Sequence, residues 1–253
     1  MKLEIAVVSA QGAAIAADEG ADRIELCTSL ELGGLTPSLG LLELSGECVA
    51  DRLEIHPLVR CRPGDFVYSA LELETMIRDS AELLKRGVHG VVFGALQPSG
   101  DIDYTASRRF AESALAINPE AQLTFHRAID SSNNAELAIE TLISLGFTRV
   151  LSSGGAPAAG DGLSTLAAMN TLAAGQLEIM AGGGLLLSDI PSMDRAGLSA
   201  VHLSAKEAVH RCDKVCTKVG ANCGDSYMIT SRDTVRLAKE AVNACTPWAM
   251  AAD

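Results

Sequence analysis

Long apolar runs are missing from this sequence. No stretch of about 18 apolar residues occurs, so no membrane-spanning helix is predicted. The opening MKLEIAVVSAQGAAIAADEG puts Glu4 close behind Lys2, where a secretory leader needs an unbroken apolar stretch, so no leader is predicted. An excess of positive charge is missing as well. The formal net charge is -12, and nucleic acid and anionic membrane both select cationic surfaces, so neither is predicted as a partner. The seven cysteines contain no Cys-x-x-Cys pair. Their odd number and scatter fit reduced thiols in a cytoplasmic protein, not a disulfide framework. Gly-x-Ser-x-Gly, Walker and His-Glu-x-x-His sequences are absent, which removes a serine-hydrolase elbow, a P-loop and a helical zinc site from consideration.

What is present is alternation. The chain has 253 residues, 48% of them apolar and 21% charged, enough for a sizeable core. Eight short β-rich runs recur, starting at Leu3, Arg23, Ile55, Gly90, Leu123, Arg149, Leu177 and Ala200. Most are near-continuous apolar runs, as in parallel strands covered on both faces. Helical spacing lies between them: Leu73, Met76, Ile77, Ala81 and Leu84, then Ala138, Leu142 and Leu145. Ser69 and Glu72 have capping-box spacing, and Thr36-Pro37 reads as a cap followed by a first-turn proline. Gly20, Gly87, Gly146 and Gly197 follow helical patterns, where a left-handed residue ends a helix. The pattern predicts one (β/α)8 TIM barrel over residues 1–253, with a doubly wound open sheet as the alternative. Residues from Glu207 to Tyr227 break the rhythm and read as a long loop over the C-terminal mouth, before a last helix beginning near Thr230.

In such a barrel the chemistry sits at the C-terminal ends of the strands. Those ends carry Glu25 and Cys27, Arg60 and Arg62, His126, Arg127 and Asp130, Ser152 and Ser153, Gly182, Gly183 and Gly184, and His202 and Ser204. Residues two apart share a strand face, so carboxylate, guanidinium and imidazole converge on one mouth. Any one buried Glu or Arg is equally well read as half of an ion pair. The whole set is not, because burying charge is costly. His202 alone reads as a hydrogen-bonded core residue; His126 with Arg127 and Asp130 is the stronger functional candidate. Glu25, Arg60, His126 and Asp130 are the candidate catalytic groups. Arg62, the Gly182–Gly184 turn and Ser204 are the candidate anion binders. Lys206 is the only lysine near a strand end, which argues against Schiff-base chemistry.

ADRIELC with GGLTPSLG, RPGDFVYS, VVFGAL, LTFHRAID, LGFTRVLSSG, AGGG and VHLSA, in this order and spacing, resemble the CutC family from Leu3 to about Ala205. Its members are cytoplasmic TIM-barrel proteins assigned to copper homeostasis and Cu(I) binding. The resemblance therefore implies that fold, a homo-oligomer and a copper role. Glu4, Glu25, Cys27, Arg60, His126 and Asp130 match the family's motif positions. Two positions depart. The family cysteine two residues after Glu4 is Ala6, and its Arg-Pro-Arg-Gly-Gly-Asp-Phe segment is Arg60-Cys-Arg-Pro-Gly-Asp-Phe66. Cu(I) prefers sulfur donors, which makes Cys27 and Cys61 the metal candidates. Arg60 and Arg62 would favour a Cys61 thiolate, while its opposite strand parity reads as a plain packed residue. Cys212, Cys216 and Cys223 read as loop thiols. Two classes of function stay open: a Cu(I)-binding homeostasis protein, and a barrel enzyme doing acid/base work on a small anionic or phosphorylated substrate.

Overall fold

The computed structural model describes residues 1–210 and 226–245. Eight strands form one parallel sheet: β1 (Lys2–Val7), β2 (Arg23–Leu26), β3 (Glu54–Pro57), β4 (Gly90–Phe93), β5 (Gln122–Phe125), β6 (Arg149–Ser152), β7 (Glu178–Gly182) and β8 (Ala200–Leu203). Their order is β3-β2-β1-β8-β7-β6-β5-β4. The two ends meet. Leu58 and Val92 form a parallel bridge, Val59 N–H donates to Val92 O at 2.8 Å, and His89 N–H donates to Ile55 O at 3.2 Å. The sheet is thus the wall of a (β/α)8 barrel, as the eightfold alternation predicts.

Helices α1 (Ala10–Asp18), α2 (Leu39–Val49), α3 (Ala70–Leu84), α4 (Tyr104–Ile117), α5 (Ala135–Ser144), α6 (Leu163–Ala173), α7 (Ile190–Arg195) and α8 (Arg232–Asn243) follow the strands. Local chemistry sets their starts. Ser69 and Glu72 make the expected capping box on α3, and Ser9, Asp103 and Asn134 cap α1, α4 and α5. The glycines expected past helix ends all have positive φ. Thr36 does not cap α2. Ser38 does, accepting from Leu41 N–H. The Thr36 hydroxyl is committed elsewhere, accepting from Arg60 N–H at 3.0 Å and bonding Arg60 O at 3.1 Å, so it ties the β2 loop to the β3 loop.

The Glu207–Tyr227 stretch is not all loop. Its ends enter a two-stranded antiparallel ribbon, β9 (Lys206–His210) with β10 (Ser226–Thr230), whose backbone pairing the mixed sequences KEAVH and SYMIT do not advertise. Residues 211–225, and with them Cys212, Cys216 and Cys223, lie outside the described residues.

The apolar core lies between strands and helices. Leu3, Ile5, Ile24, Leu26, Val91, Phe93, Leu123, Phe125 and Val150 are buried there, and Phe93 stacks on Phe110 at 4.0 Å. The alternate strand residues are largely polar and buried: Glu4, Arg23, Glu25, His56, Thr124, Arg149 and His202. Arg23 on β2 pairs with Glu4 on β1 and, at 3.1 Å, with Glu178 on β7, a reach that runs through the barrel interior. Arg149 pairs with Glu178 and donates to Thr124 Oγ1 at 3.0 Å and Gln122 Oε1 at 2.8 Å. An ion network therefore fills the lower barrel, and the mouth is built on top of it.

Candidate active site at the barrel mouth

A cavity of about 470 Å³ opens at the C-terminal strand ends. Glu25, Arg60, His126, Gly183, Gly184 and Ser204 line it, as the strand-end reading predicts, and so do Arg127 and His202. Glu25 comes up from β2 and is 7% exposed. Burial pushes its carboxyl up to about 7; the nearby Glu4 charge adds to this, and His202 opposes it.

His202, which the sequence alone marks as a core residue, is central to the mouth. Its Nδ1 lies 2.7 Å from Glu4 Oε1 and its Nε2 3.9 Å from Glu25 Oε2. Burial works against its charge, but the Glu4 hydrogen bond and the two carboxylates prevail and raise it above the ordinary imidazole value. Glu4 is fully buried. Burial works against its charge too, yet Arg23 and His202 outweigh it and hold the carboxyl far below the usual range. The row Arg23–Glu4–His202–Glu25 links the ion network to the cavity. Its signal in the sequence is polar residues at strand positions i and i+2, Arg23 with Glu25 and Glu54 with His56, a pattern that runs below the strand ends.

His126 follows β5 and packs against Phe66, ring centroids 4.9 Å apart. Its Nδ1 accepts from Ala128 N–H at 3.1 Å, which assigns the ring proton to Nε2. Burial and the Arg60 charge push the ring down to about 3, so it is neutral at ordinary pH. Its Nε2 has no partner among the described residues. Arg60 spends most of its guanidinium on loop carbonyls, with Nη1 on Leu32 O and Gly34 O and Nη2 on Gly64 O; its Nε is left buried and unpaired. Gly33 and Gly34 both have positive φ, and a Cβ on Gly34 would stand 2.7 Å from Leu58, so the bare turn lets the loop close on Arg60 and Leu58.

Several candidates do not line the cavity. Arg62 lies outside it, bonded to Glu72, Asp65 and the Val67 carbonyl. Strand β3 ends at Pro57, so the alternation that paired Arg62 with Arg60 no longer holds there. Gly182 is not among the lining residues; a Cβ there would meet Leu151 and His202 at 2.7 and 2.8 Å. Asp130 does not reach His126 in any hydrogen bond. It binds Arg127 Nε at 2.8 Å, Ser152 Oγ at 2.6 Å, and the N–H and hydroxyl of Ser153. It therefore positions Arg127, its neighbour in the His126–Arg127–Asp130 group, which lies at the cavity against Gly183. A Cβ on Gly183 would stand 2.5 Å from the Arg127 guanidinium.

The sequence profile of the CutC family matches residues 1–207. The chain belongs to the CutC family. A CutC family protein of Aliivibrio fischeri (strain MJ11) is 36% identical over 241 residues, covering 94% of this chain and 96% of the relative. One of Xanthomonas campestris pv. campestris (strain 8004) is 39% identical over 249 residues, covering 95% of this chain and all of the relative. A solved CutC of Streptococcus agalactiae, described as a copper homeostasis protein, superposes with a TM-score of 0.73 at 26% identity over 81% of this chain and 98% of that one.

The two sulfur candidates, Cys27 and Cys61, belong to no group of three or more metal donors among the described residues. Cys27 is 0% exposed, packed with Leu58 and Val92, and burial drives its thiol far above the ordinary range, with Glu25 and Glu31 adding to the rise. Cys61 packs on the core edge, and burial raises it as well. In the metal-free chain both thiols keep their protons, and a Cu(I) ion would have to displace them. Ala6 stands beside Glu25 in the β1–β2 register and adds no donor. Among the described residues, no group of three or more His, Cys, Asp and Glu is arranged to hold a metal ion, and no helix is long and apolar enough to cross a membrane.

Proposed function

We propose that this CutC family chain is an acid/base enzyme that moves a proton on a small anionic substrate held in the barrel mouth. The observation that carries this reading is Glu25, a cavity-lining carboxyl with its pKa at about 7 beside an imidazole fixed by a second carboxylate. A group titrating near the working pH serves as acceptor and donor in one cycle, which is worth roughly a hundred- to ten-thousandfold in rate. Glu4 orients His202 and sustains its charge, so the proton that Glu25 takes is matched by a fixed cation. Neutral His126 offers Nε2–H to a developing oxyanion without taking the proton itself. Arg127, held by Asp130 and Ser153, supplies the anion contact. Arg60 fixes the loops that form the wall.

The test is exchange in deuterated water. Small carboxylates and phosphate esters with an acidic C–H are incubated with the protein and followed by NMR. Exchange is expected on one of them, with a pH–rate limb near 7. Glu25→Gln should lower the rate by about a hundredfold or more, with Glu25→Asp retaining part of it. Exchange that persists in Glu25→Gln would discard Glu25 as the proton carrier. Copper homeostasis is the role named for the Streptococcus agalactiae relative; in this chain Cys27 and Cys61 are thiols whose protons burial retains, and they join no described donor group of three, so the acid/base reading is preferred. The family likeness supports a cytoplasmic homo-oligomer as the working form.

A further inference from the structure

The mouth contains donors that proton transfer at Glu25 does not use. The β7 loop, the β8 loop and the start of α8 meet at one corner of the cavity, where Gly183, Gly184, Ser204, Lys206 and Thr234 line the wall. Ser231 N–H donates to Ala205 O at 2.7 Å and ties the helix start to the end of β8. The N–H groups of Gly183 and Gly184, at φ +96 and +63, donate to no acceptor among the described residues. Helix α8 has twelve residues and starts without a side-chain cap, although its N-cap is a serine. Its first-turn N–H groups have no acceptor among the described residues, Thr234 of that turn lines the cavity, and the positive end of the helix dipole lies behind them. Asp233 in that turn is exposed and already paired with Arg236 at 3.2 Å. A second observation points to a ligand in the same cavity. His126 and Arg60 line it at 6% and 5% exposure, and His126 Nε2 and Arg60 Nε have no partner among the described residues. Buried donors without acceptors are costly, so a bound acceptor is the natural complement.

We infer that the substrate is a phosphomonoester whose phosphate sits at the β7–β8–α8 corner, on the N–H groups of Gly183, Gly184 and the first turn of α8, with Arg127 and Lys206 neutralising it. This deepens the acid/base reading and rests on the mouth being the active site. A carboxylate has two oxygens to offer. A phosphate has three terminal oxygens and up to two charges, which matches a corner of several backbone donors and two cations. In a chain of net charge -12, this concentration of cations at one mouth also draws such an anion in. The cavity lies at the small end of the usual ligand range of roughly 300–1,000 Å³, which fits a short-chain phosphate ester.

The experiment titrates inorganic phosphate, glycerol phosphate and acetate into the whole protein, by calorimetry and by melting temperature. The two phosphates are expected to bind and acetate is not. Thr234→Asp puts a carboxylate at the third position of α8, where it favours the helix but occupies the corner. Phosphate affinity should fall about tenfold or more in this variant, while Thr234→Ser keeps it. Binding by neither phosphate, or equal affinity in Thr234→Asp, overturns the assignment. Glu25→Gln separates the two claims, because it should lose exchange and keep phosphate binding. Phosphate binding with no exchange on any substrate would leave the corner standing and remove the acid/base reading. Exchange with no phosphate binding would do the reverse.

Discussion

Two residues at the mouth respond to pH with opposite signs. Glu25 has an ordinary value of 4.5 and stands at about 7 in the folded chain. The folded state therefore holds its proton more tightly than the unfolded chain does. The stability this gives is full below about pH 4.5 and is lost as pH rises through about 7, by about 3 kcal/mol at most. His126 is pushed down from 6.5 to about 3, so its contribution is full above 6.5 and is lost as pH falls toward 3. Urea denaturation of Glu25→Gln should show the first slope gone, with the variant more stable than wild type at about pH 8 and not at about pH 4. A variant that is instead weaker by several kcal/mol at both would make Glu25 a structural partner, since breaking a needed buried pair costs about 3–5 kcal/mol. His126→Gln keeps hydrogen-bonding capacity and should flatten the acid limb, measured in the same series.

The loops decide which strand-end residues become a site. Asp130 joins the short turn after β5 to the end of β6 and directs Arg127 to the cavity. Asp130→Asn keeps the shape and loses the charge, so it should cost about 1–3 kcal/mol in chemical denaturation. It should also weaken phosphate binding by releasing Arg127, whereas a purely structural role would leave ligand affinity at its wild-type value. The sequence made the strands, the eightfold alternation and most of the mouth legible, because buried parallel strands are short apolar runs and a polar residue ending one stands out. Glu25, Arg60, His126, Gly183, Gly184 and Ser204 all line the cavity for that reason. Arg62 was misplaced because parity holds only inside a strand, and β3 stops at Pro57. The part played by His202 was hidden because its partners, Glu4 and Glu25, come from other strands. Pairing across a barrel depends on register, which one strand's sequence does not carry. The β9–β10 ribbon was hidden because neither of its strands has a clean apolar alternation.

At the scale of the whole barrel, the interior is ionic where close-packed apolar layers are the common solution. Arg23 is the keystone: 0% exposed, paired with Glu4 and, at 3.1 Å and 3.6 Å, with Glu178 and Glu54. Glu178 keeps Arg149 and Glu54 keeps Lys2 if Arg23 is removed, but Glu4 would retain only the His202 hydrogen bond and the weaker pull of the Arg149 charge. Arg23→Met places a flexible apolar chain beside Met180, which already touches the guanidinium, so packing loss is limited. What remains is an undercompensated carboxylate, and the expected cost is about 3–5 kcal/mol by urea denaturation near neutral pH. The loss should shrink at lower pH, because Glu4 freed from Arg23 can take up a proton instead of staying charged. Adding Glu4→Gln removes the stranded charge outright. The double variant should therefore be less destabilised than the sum of the two single changes, by about 1–3 kcal/mol in the mutant cycle. The same loss would propagate to the mouth, since Glu4 holds the charge on His202 and adds to the rise of Glu25, so Arg23→Met should also shift the pH limb of any exchange that Glu25 carries. Additive costs and an unmoved limb would mean that the lower network only fills space and that the mouth is tuned without it.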